Sequence, residues 1–263
     1  MQCYQESYRF YNENEYLKMG VYSTIGNRSE QQDCTGFEIT KDEALMVICD
    51  GMGGHAGGQL ASRLATSLFL DNYSVQHPCK DPHQYLINTA FEADFAIAAI
   101  KDENGRLMHA GTTVASILIQ KQQLYWFSAG DSRIYLYRNG ELVQATIDHN
   151  YGFVLRKKFE RGEISKELLE QEARKSETLV SFLGVNGLPF FCSNDTPFEL
   201  RSGDMVLLTT DGMYRALSDN NIEQILQNFV NIPDALLALE SRVSSCTRNQ
   251  IRDNMTVSII KVI

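Results

Sequence analysis

Apolar residues recur along this chain at two different periods. "ALMVICD" (44–50) is a continuous apolar run of strand length, ended by an aspartate and glycines, and predicts a buried strand. "GGQLASRLATSLFLDNY" then places Leu60, Leu64 and Leu68, with Ala61 and Ala65, on one face at helical spacing. "HQYLINTAFEADFAIAAIKDEN" repeats that spacing through Leu86, Ala90, Phe91, Ala93, Ile97 and Ala98. Elsewhere the pattern shortens. "TTVASILIQ", "QLYWFSAG", "RIYLYRNGELVQAT", "DMVLLTTDG" and "NMTVSIIKVI" are brief and rich in β-branched and aromatic residues, which predicts strands. Asn139-Gly140 between two such runs predicts a tight hairpin. "IQKQQLYW" leaves no room for a crossover helix, so its strands are also expected to be antiparallel. The charged stretch from Asp148 to about Gly184 predicts helix and interrupts the strand series like an inserted flap. "NNIEQILQNF" and "IPDALLALESRVSSC" predict late helices, and "MQCYQESYRFYNENEY" a frayed or edge segment. The class is α+β, with antiparallel sheets forming the core and helices covering it.

Composition narrows the partners. A formal net charge of −9 over 263 residues argues against nucleic acid and against docking on anionic membrane. A phosphate-bearing substrate would therefore need locally supplied positive charge, and metal ions are the obvious source. The six cysteines show no CxxC spacing, and Cys49 sits inside an apolar strand as a small buried thiol. With no secretory signal and no apolar run of membrane-spanning length, the expectation is a cytoplasmic, reduced protein.

The richest stretch chemically is "VICDGMGGHAGG" (47–58), where Asp50 is followed by five glycines in eight residues. Backbone this bare after a strand lets a phosphate or a metal approach the main chain. As a P-loop it fails, because Gln59 and Leu60 stand where lysine and serine or threonine belong. As a dinucleotide fingerprint, Gly51-x-Gly53-x-x-Ala56 is better spaced, with Asp71 as the distant acid. But residues 60–70 read as one helix into Asp71, and Asp50 would repel a pyrophosphate. A metal site needs more carboxylates, and "TTDGMY" (Asp211), "IRDNMT" (Asp253) and "SAGDSRIY" (Asp131) supply them at similar junctions. One such aspartate is commonly a turn or cap residue. Four suit a hard cation such as Mg²⁺ or Mn²⁺.

In order, "GNRSEQQD", "DGMGGHAGGQLAS", "GTT", "AGDSRIYLYRNGEL", "DHN", "TTDG" and "RDNMTV" span nearly the whole chain. Together they resemble the metal-dependent serine/threonine protein phosphatases of the PPM (PP2C) family in its bacterial style. The resemblance implies one domain over 1–263, with two packed antiparallel sheets flanked by helices and a flap around 150–184. It implies two Mn²⁺ or Mg²⁺ ions in the cleft between sheet ends. Asp50 would bridge them, the Gly51 carbonyl would be a further ligand, and Asp211 and Asp253 would hold one ion directly. Asp33 would act mainly through metal-bound water, and Asp131 would bind the weaker third ion of some members. A metal-bridging hydroxide would attack phosphorus directly, with Arg28 on the phosphate oxygens and His55 protonating the leaving oxygen. The implied partners are phosphoserine and phosphothreonine proteins, substrates of a cytosolic kinase; the implied state is a monomer.

Blander readings stand beside these. Arg28 fits a surface arginine in a polar turn, and Asp131 fits a loop residue braced by Arg133. Gly111, Thr112 and Thr113 fit a strand entry, and Asp148 and His149 the start of the flap. A side chain at Gly51 is expected to obstruct the backbone's approach to metal. Two positions depart from the family pattern: Gln32 stands where many members have Glu, and Arg215 where some have a further Asp supporting the third ion. The rival functions are a pseudophosphatase binding module of the same fold and a metal phosphoesterase for small molecules.

Overall fold

The computed structural model describes residues 7–53, 55–229, 231–248 and 251–263. One antiparallel sheet runs β1 (Ser7–Glu13), β2 (Leu17–Thr24), β13 (Met255–Val262), β12 (Met205–Thr209), β8 (Arg133–Arg138) and β9 (Glu141–Gln144). The second runs β10 (Cys192–Ser193), β7 (Gln123–Ala129), β6 (Val114–Gln120), β4 (Glu43–Met52) and β3 (Asp33–Ile39), with β11 (Phe198–Glu199) beside β7 and β5 (Gly111–Thr112) beside β4. Helices α1 (His55–Gln76) and α2 (Pro82–Ala98) cover one outer face. On the other lie α5 (Asp211–Tyr214), α6 (Asp219–Asn228) and α7 (Ile232–Cys246). The flap carries α3 (Tyr151–Glu160) and α4 (Lys166–Glu172).

Strand β4, between β6 and β3, explains the layering. Its alternate residues Leu45, Val47 and Cys49 pack beneath α1 and α2, while Ala44, Met46 and Ile48 fill the space between the sheets. With period-two geometry, a strand apolar on every residue from 44 to 49 must be covered on both faces there. The third core cluster joins β12 and β13 to α6 and α7. Local signals agree with the elements. Asp81, Asn150, Ser165, Ser218 and Asn231 each cap a helix by accepting from a backbone N–H three residues on. Asn139 and Gly140 both have positive φ (54° and 88°), as a two-residue hairpin of this kind requires.

Several expectations need correction. β2 ends just before "GNRSEQQD" and β3 begins at its last residue, in stretches for which no strand was expected. On α1, Leu60 is exposed, because the face turned to the sheet begins at Ala61 and continues through Ala65 and Phe69. Cys34 is disulfide-bonded, so the cysteines are not uniformly reduced; Cys49, Cys79, Cys192 and Cys246 are free.

Candidate active site

The aspartates come to one cleft because strand ends come together there. Asp33 begins β3 and sits directly opposite Asp50 near the end of β4. Asp211 follows the end of β12 as the first residue of α5, and Asp253 precedes β13, the neighbour of β12. Asp131 lies in the turn from β7 to β8. Asp50, Asp131, Asp211 and Asp253, with Gly51, Arg28, Arg215, Glu30 and Glu177, line one cleft of about 460 Å³ between the sheet ends. Asp33 lies buried behind it.

Asp50 is fixed through its main chain. Thr113 accepts from its N–H through Oγ1 (2.9 Å), while the Thr113 N–H and the Thr112 hydroxyl donate to its carbonyl (2.8 and 2.9 Å). The "GTT" stretch thus serves a strand entry, as one reading expected, and braces Asp50 as well. Asp33 accepts from the hydroxyls of Thr210 (2.9 Å) and Thr256 (2.7 Å) through one oxygen, Oδ2. Its other oxygen, Oδ1, is buried without a protein partner. The signal for the two threonines was their place beside the aspartates of "TTDG" and "RDNMT".

The bare backbone has a steric cause within the fold itself. A Cβ on Gly51 would meet the carbonyl oxygen of Gly58 at 2.1 Å, and one on Gly58 would meet the Gly51 carbonyl carbon at 2.8 Å. The first turns of α1 rest directly on the end of β4, so these glycines serve chain-on-chain contact. His55 opens α1; the acid role expected of its side chain lies outside the described residues.

Asp131 is braced by Arg215, whose Nη2 lies 3.4 Å from its Oδ2. Arg133, the expected brace, instead forms a two-pronged pair with Asp148 (2.9 and 2.7 Å) and stacks 3.6 Å from the Tyr214 ring centroid. His149 holds the same turn: its Nδ1 accepts from the Gly130 N–H, and its own N–H donates to the Gly130 carbonyl. Burial lowers the His149 pKa, which keeps the imidazole in this neutral, accepting form. "DHN" therefore supports the Asp131 turn, and Asn150 starts the flap by capping α3.

Electrostatically the site is strained toward protonation. Burial, followed by Asp33, Asp211, Asp131 and Asp253, pushes Asp50 well above the usual carboxylate range. Burial also outweighs two threonine hydrogen bonds at Asp33, which is pushed up to about 7. Asp211 is pushed up to about 6, burial outweighing the opposing pull of Arg215. Among the described residues no three carboxylates converge on one point; two arginines intervene, Arg28 at 2.6 Å from Asp253 and Arg215 at 2.9 Å from Asp211.

A divalent-cation pair fits these residues on three counts. The donors are oxygens, as hard cations require. The cleft walls carry six carboxylates against two guanidiniums, a formal excess of four negative charges. Asp33 Oδ1, buried and unpartnered, needs a positive or hydrogen-bonding neighbour.

The family profile described as protein phosphatase 2C matches residues 22–253. The chain belongs to that family. It is 28% identical over 238 residues to the serine/threonine phosphatase stp of Listeria monocytogenes, covering 89% of this chain and 91% of that protein. It is 32% identical over 219 residues to the serine/threonine protein phosphatase PstP of Mycobacterium tuberculosis, covering 83% of this chain and 40% of that longer protein. The catalytic domain of PstP, solved in complex with two manganese ions, superposes with TM-score 0.72 at 30% identity, covering 94% of this chain and 99% of that one. The serine/threonine phosphatase of S. agalactiae superposes with TM-score 0.78 at 22% identity, covering 94% of this chain and all of that one. The αββα sandwich is thus the fold of the family.

Proposed function

We propose that this protein hydrolyses phosphoserine and phosphothreonine in proteins, using two Mn²⁺ or Mg²⁺ ions held in the cleft. The observation that carries the reading is the gathering of Asp50, Asp131, Asp211 and Asp253 in one cleft, with buried Asp33 behind Asp50 and a large excess of negative charge. Asp50, Asp211 and Asp253, with the Gly51 carbonyl, would hold the ions. Asp33, aimed by Thr210 and Thr256, would act through a bound water. When present, such ions supply a hydroxide at neutral pH for direct attack on phosphorus and neutralise charge on the phosphoryl oxygens.

The chain's own residues do the rest. Arg28 is half exposed at the cleft rim and gives one nitrogen to Asp253. Its planar fork suits phosphate oxygens, which lysine could grip only as a point charge. A cation taken up by Asp253 would compete with Arg28 for that carboxylate, leaving the guanidinium to the substrate. His55, at the start of α1 beside the cleft glycines, would protonate the departing Ser or Thr oxygen. The flap contributes Glu177 and Leu179 to the cleft wall, and we assign it to substrate contact. The whole chain would act as one domain, as a monomer in the cytoplasm, opposing a serine/threonine kinase; among the described residues no helix is long and apolar enough to cross a membrane. The pseudophosphatase reading is not favoured, since such a protein would lack some of these aspartates.

Hydrolysis of a phosphoserine peptide and of a nucleotide, each with Mn²⁺ and with chelator, tests the reading. Mn²⁺-dependent release from the peptide, well above release from the nucleotide, is expected. Preference for the nucleotide would place the protein among small-molecule phosphoesterases.

A further inference from the structure

Arg215 caps the C-terminal end of α5, and its guanidinium faces three carboxylates from three separate parts of the chain. Nε lies 2.9 Å from Asp211 at the β12–α5 junction. Nη2 lies 3.4 Å from Asp131 in the β7–β8 turn and 3.5 Å from Glu177 in the flap, beyond α4. Asp131 is almost wholly buried, so its charge requires a partner. Glu177 is well exposed, and an exposed ion pair contributes little by itself. The Glu177 contact is therefore the weakest of the three, and it forms on a guanidinium already held in place by Asp131 and Asp211.

We propose that Arg215 is a positioning residue: a resident cation that matches the charge of Asp131 and Asp211 and ties the flap to them through Glu177. The proposal rests on the metal-site reading, because the two carboxylates it shares belong to that site. Two consequences follow from charge and geometry. A further divalent ion at Asp131 meets a fixed guanidinium there, so removing Arg215 frees Asp131 to take one. Removing either Arg215 or Glu177 also loosens the segment around Ser176 to Val180. That segment is otherwise secured by main-chain bonds, among them Gly152 N–H to Ser176 (2.9 Å), Tyr151 N–H to Thr178 (2.7 Å) and Val180 N–H to His149 (3.0 Å).

Mn²⁺ titration by calorimetry and amide hydrogen exchange at Thr178 and Val180 test it together, on wild type, Arg215→Ala, Arg215→Lys and Glu177→Gln. Arg215→Ala should bind one Mn²⁺ more than wild type, whereas Arg215→Lys and Glu177→Gln should keep the wild-type count. Exchange should quicken severalfold in Arg215→Ala and Glu177→Gln. An unchanged Mn²⁺ count in Arg215→Ala overturns the proposal, and so does unchanged exchange in both variants. If Arg215→Ala does not fold, Arg215→Gln carries the same comparison. A wild-type protein that binds no Mn²⁺ overturns the underlying metal reading instead, while the exchange measurement still judges the tie to the flap.

Discussion

Asp33 and Asp50 stand directly opposite one another on antiparallel β3 and β4. Like charges in that relationship repel, and here both are hemmed in by protein, with Asp211 and Asp253 adding to the repulsion. Folding raises their pKa values, so their contribution to stability is intact below about 3.8 and is lost as pH rises through about 7 for Asp33 and about 6 for Asp211. A bound cation reverses that loss and competes with the same protons. The rise in Tm produced by Mn²⁺ should therefore be small near pH 5, grow steeply through pH 6–7 and level off above about pH 8. Thermal unfolding with and without Mn²⁺ across that range checks it. A shift independent of pH would mean that these carboxylates are not the ligands.

Gly51→Ala should destabilise the fold whether or not metal is present, because its Cβ would strike the Gly58 carbonyl, which is backbone and cannot swing aside. Overpacking of this kind costs about 1–3 kcal/mol, which in a chain of this size lowers Tm by several degrees. A loss of Tm confined to the Mn²⁺-loaded protein would instead support the metal-approach explanation for this glycine.

Asp94 is a fully buried carboxylate inside α2, and the backbone N–H groups of Gly184, Val185, Asn186 and Gly187 all donate to it (2.6–3.2 Å). Asp94→Ala would remove the acceptor of four backbone donors, two of them on the exposed residues Asn186 and Gly187. The expected cost is roughly 1–3 kcal/mol, with Asp94→Asn milder because its amide oxygen still accepts. Chemical denaturation of the two variants measures both. Equal stability of Asp94→Ala and wild type would rule out this anchoring role.

His55→Ala should slow hydrolysis of a phosphoserine peptide far more than that of p-nitrophenyl phosphate, whose leaving group departs without a proton. General acid catalysis is worth about 10²–10⁴-fold, so kcat on the two substrates separates the cases. Equal losses would make His55 structural and leave the cations and Arg28 as the catalytic apparatus.

Much of this architecture was legible because it is written in local periodicity. β4 reads as a strand since residues 44–49 are continuously apolar, the β8–β9 hairpin follows from Asn139-Gly140, and α1 and α2 follow from their apolar stripes. β2 and β3 were not legible: "LKMGVYST" and "DCTGFEI" mix polar, glycine and apolar residues, and tertiary pairing to β13 and β4 decides their conformation. The site aspartates stood out as strand-end residues, but their counter-charges did not. Nothing in the sequence distinguishes Arg215 from Arg133 as the partner of Asp131, since the choice is made by the direction in which α5 leaves β12. The pairing of Gly51 with Gly58 was hidden for a similar reason: a contact between two backbones leaves no trace except the absence of side chains.

On the proposed function, Asp50 anchors cations on which phosphoprotein hydrolysis depends. Phosphate release from a phosphoserine peptide, followed as Mn²⁺ is titrated into metal-free wild type and Asp50→Asn, tests it most directly. Wild type should start at background, rise to a plateau with Mn²⁺ and return to background with chelator, while Asp50→Asn stays at background throughout. Full activity in the chelated wild type, or a wild-type Mn²⁺ response in Asp50→Asn, would contradict it.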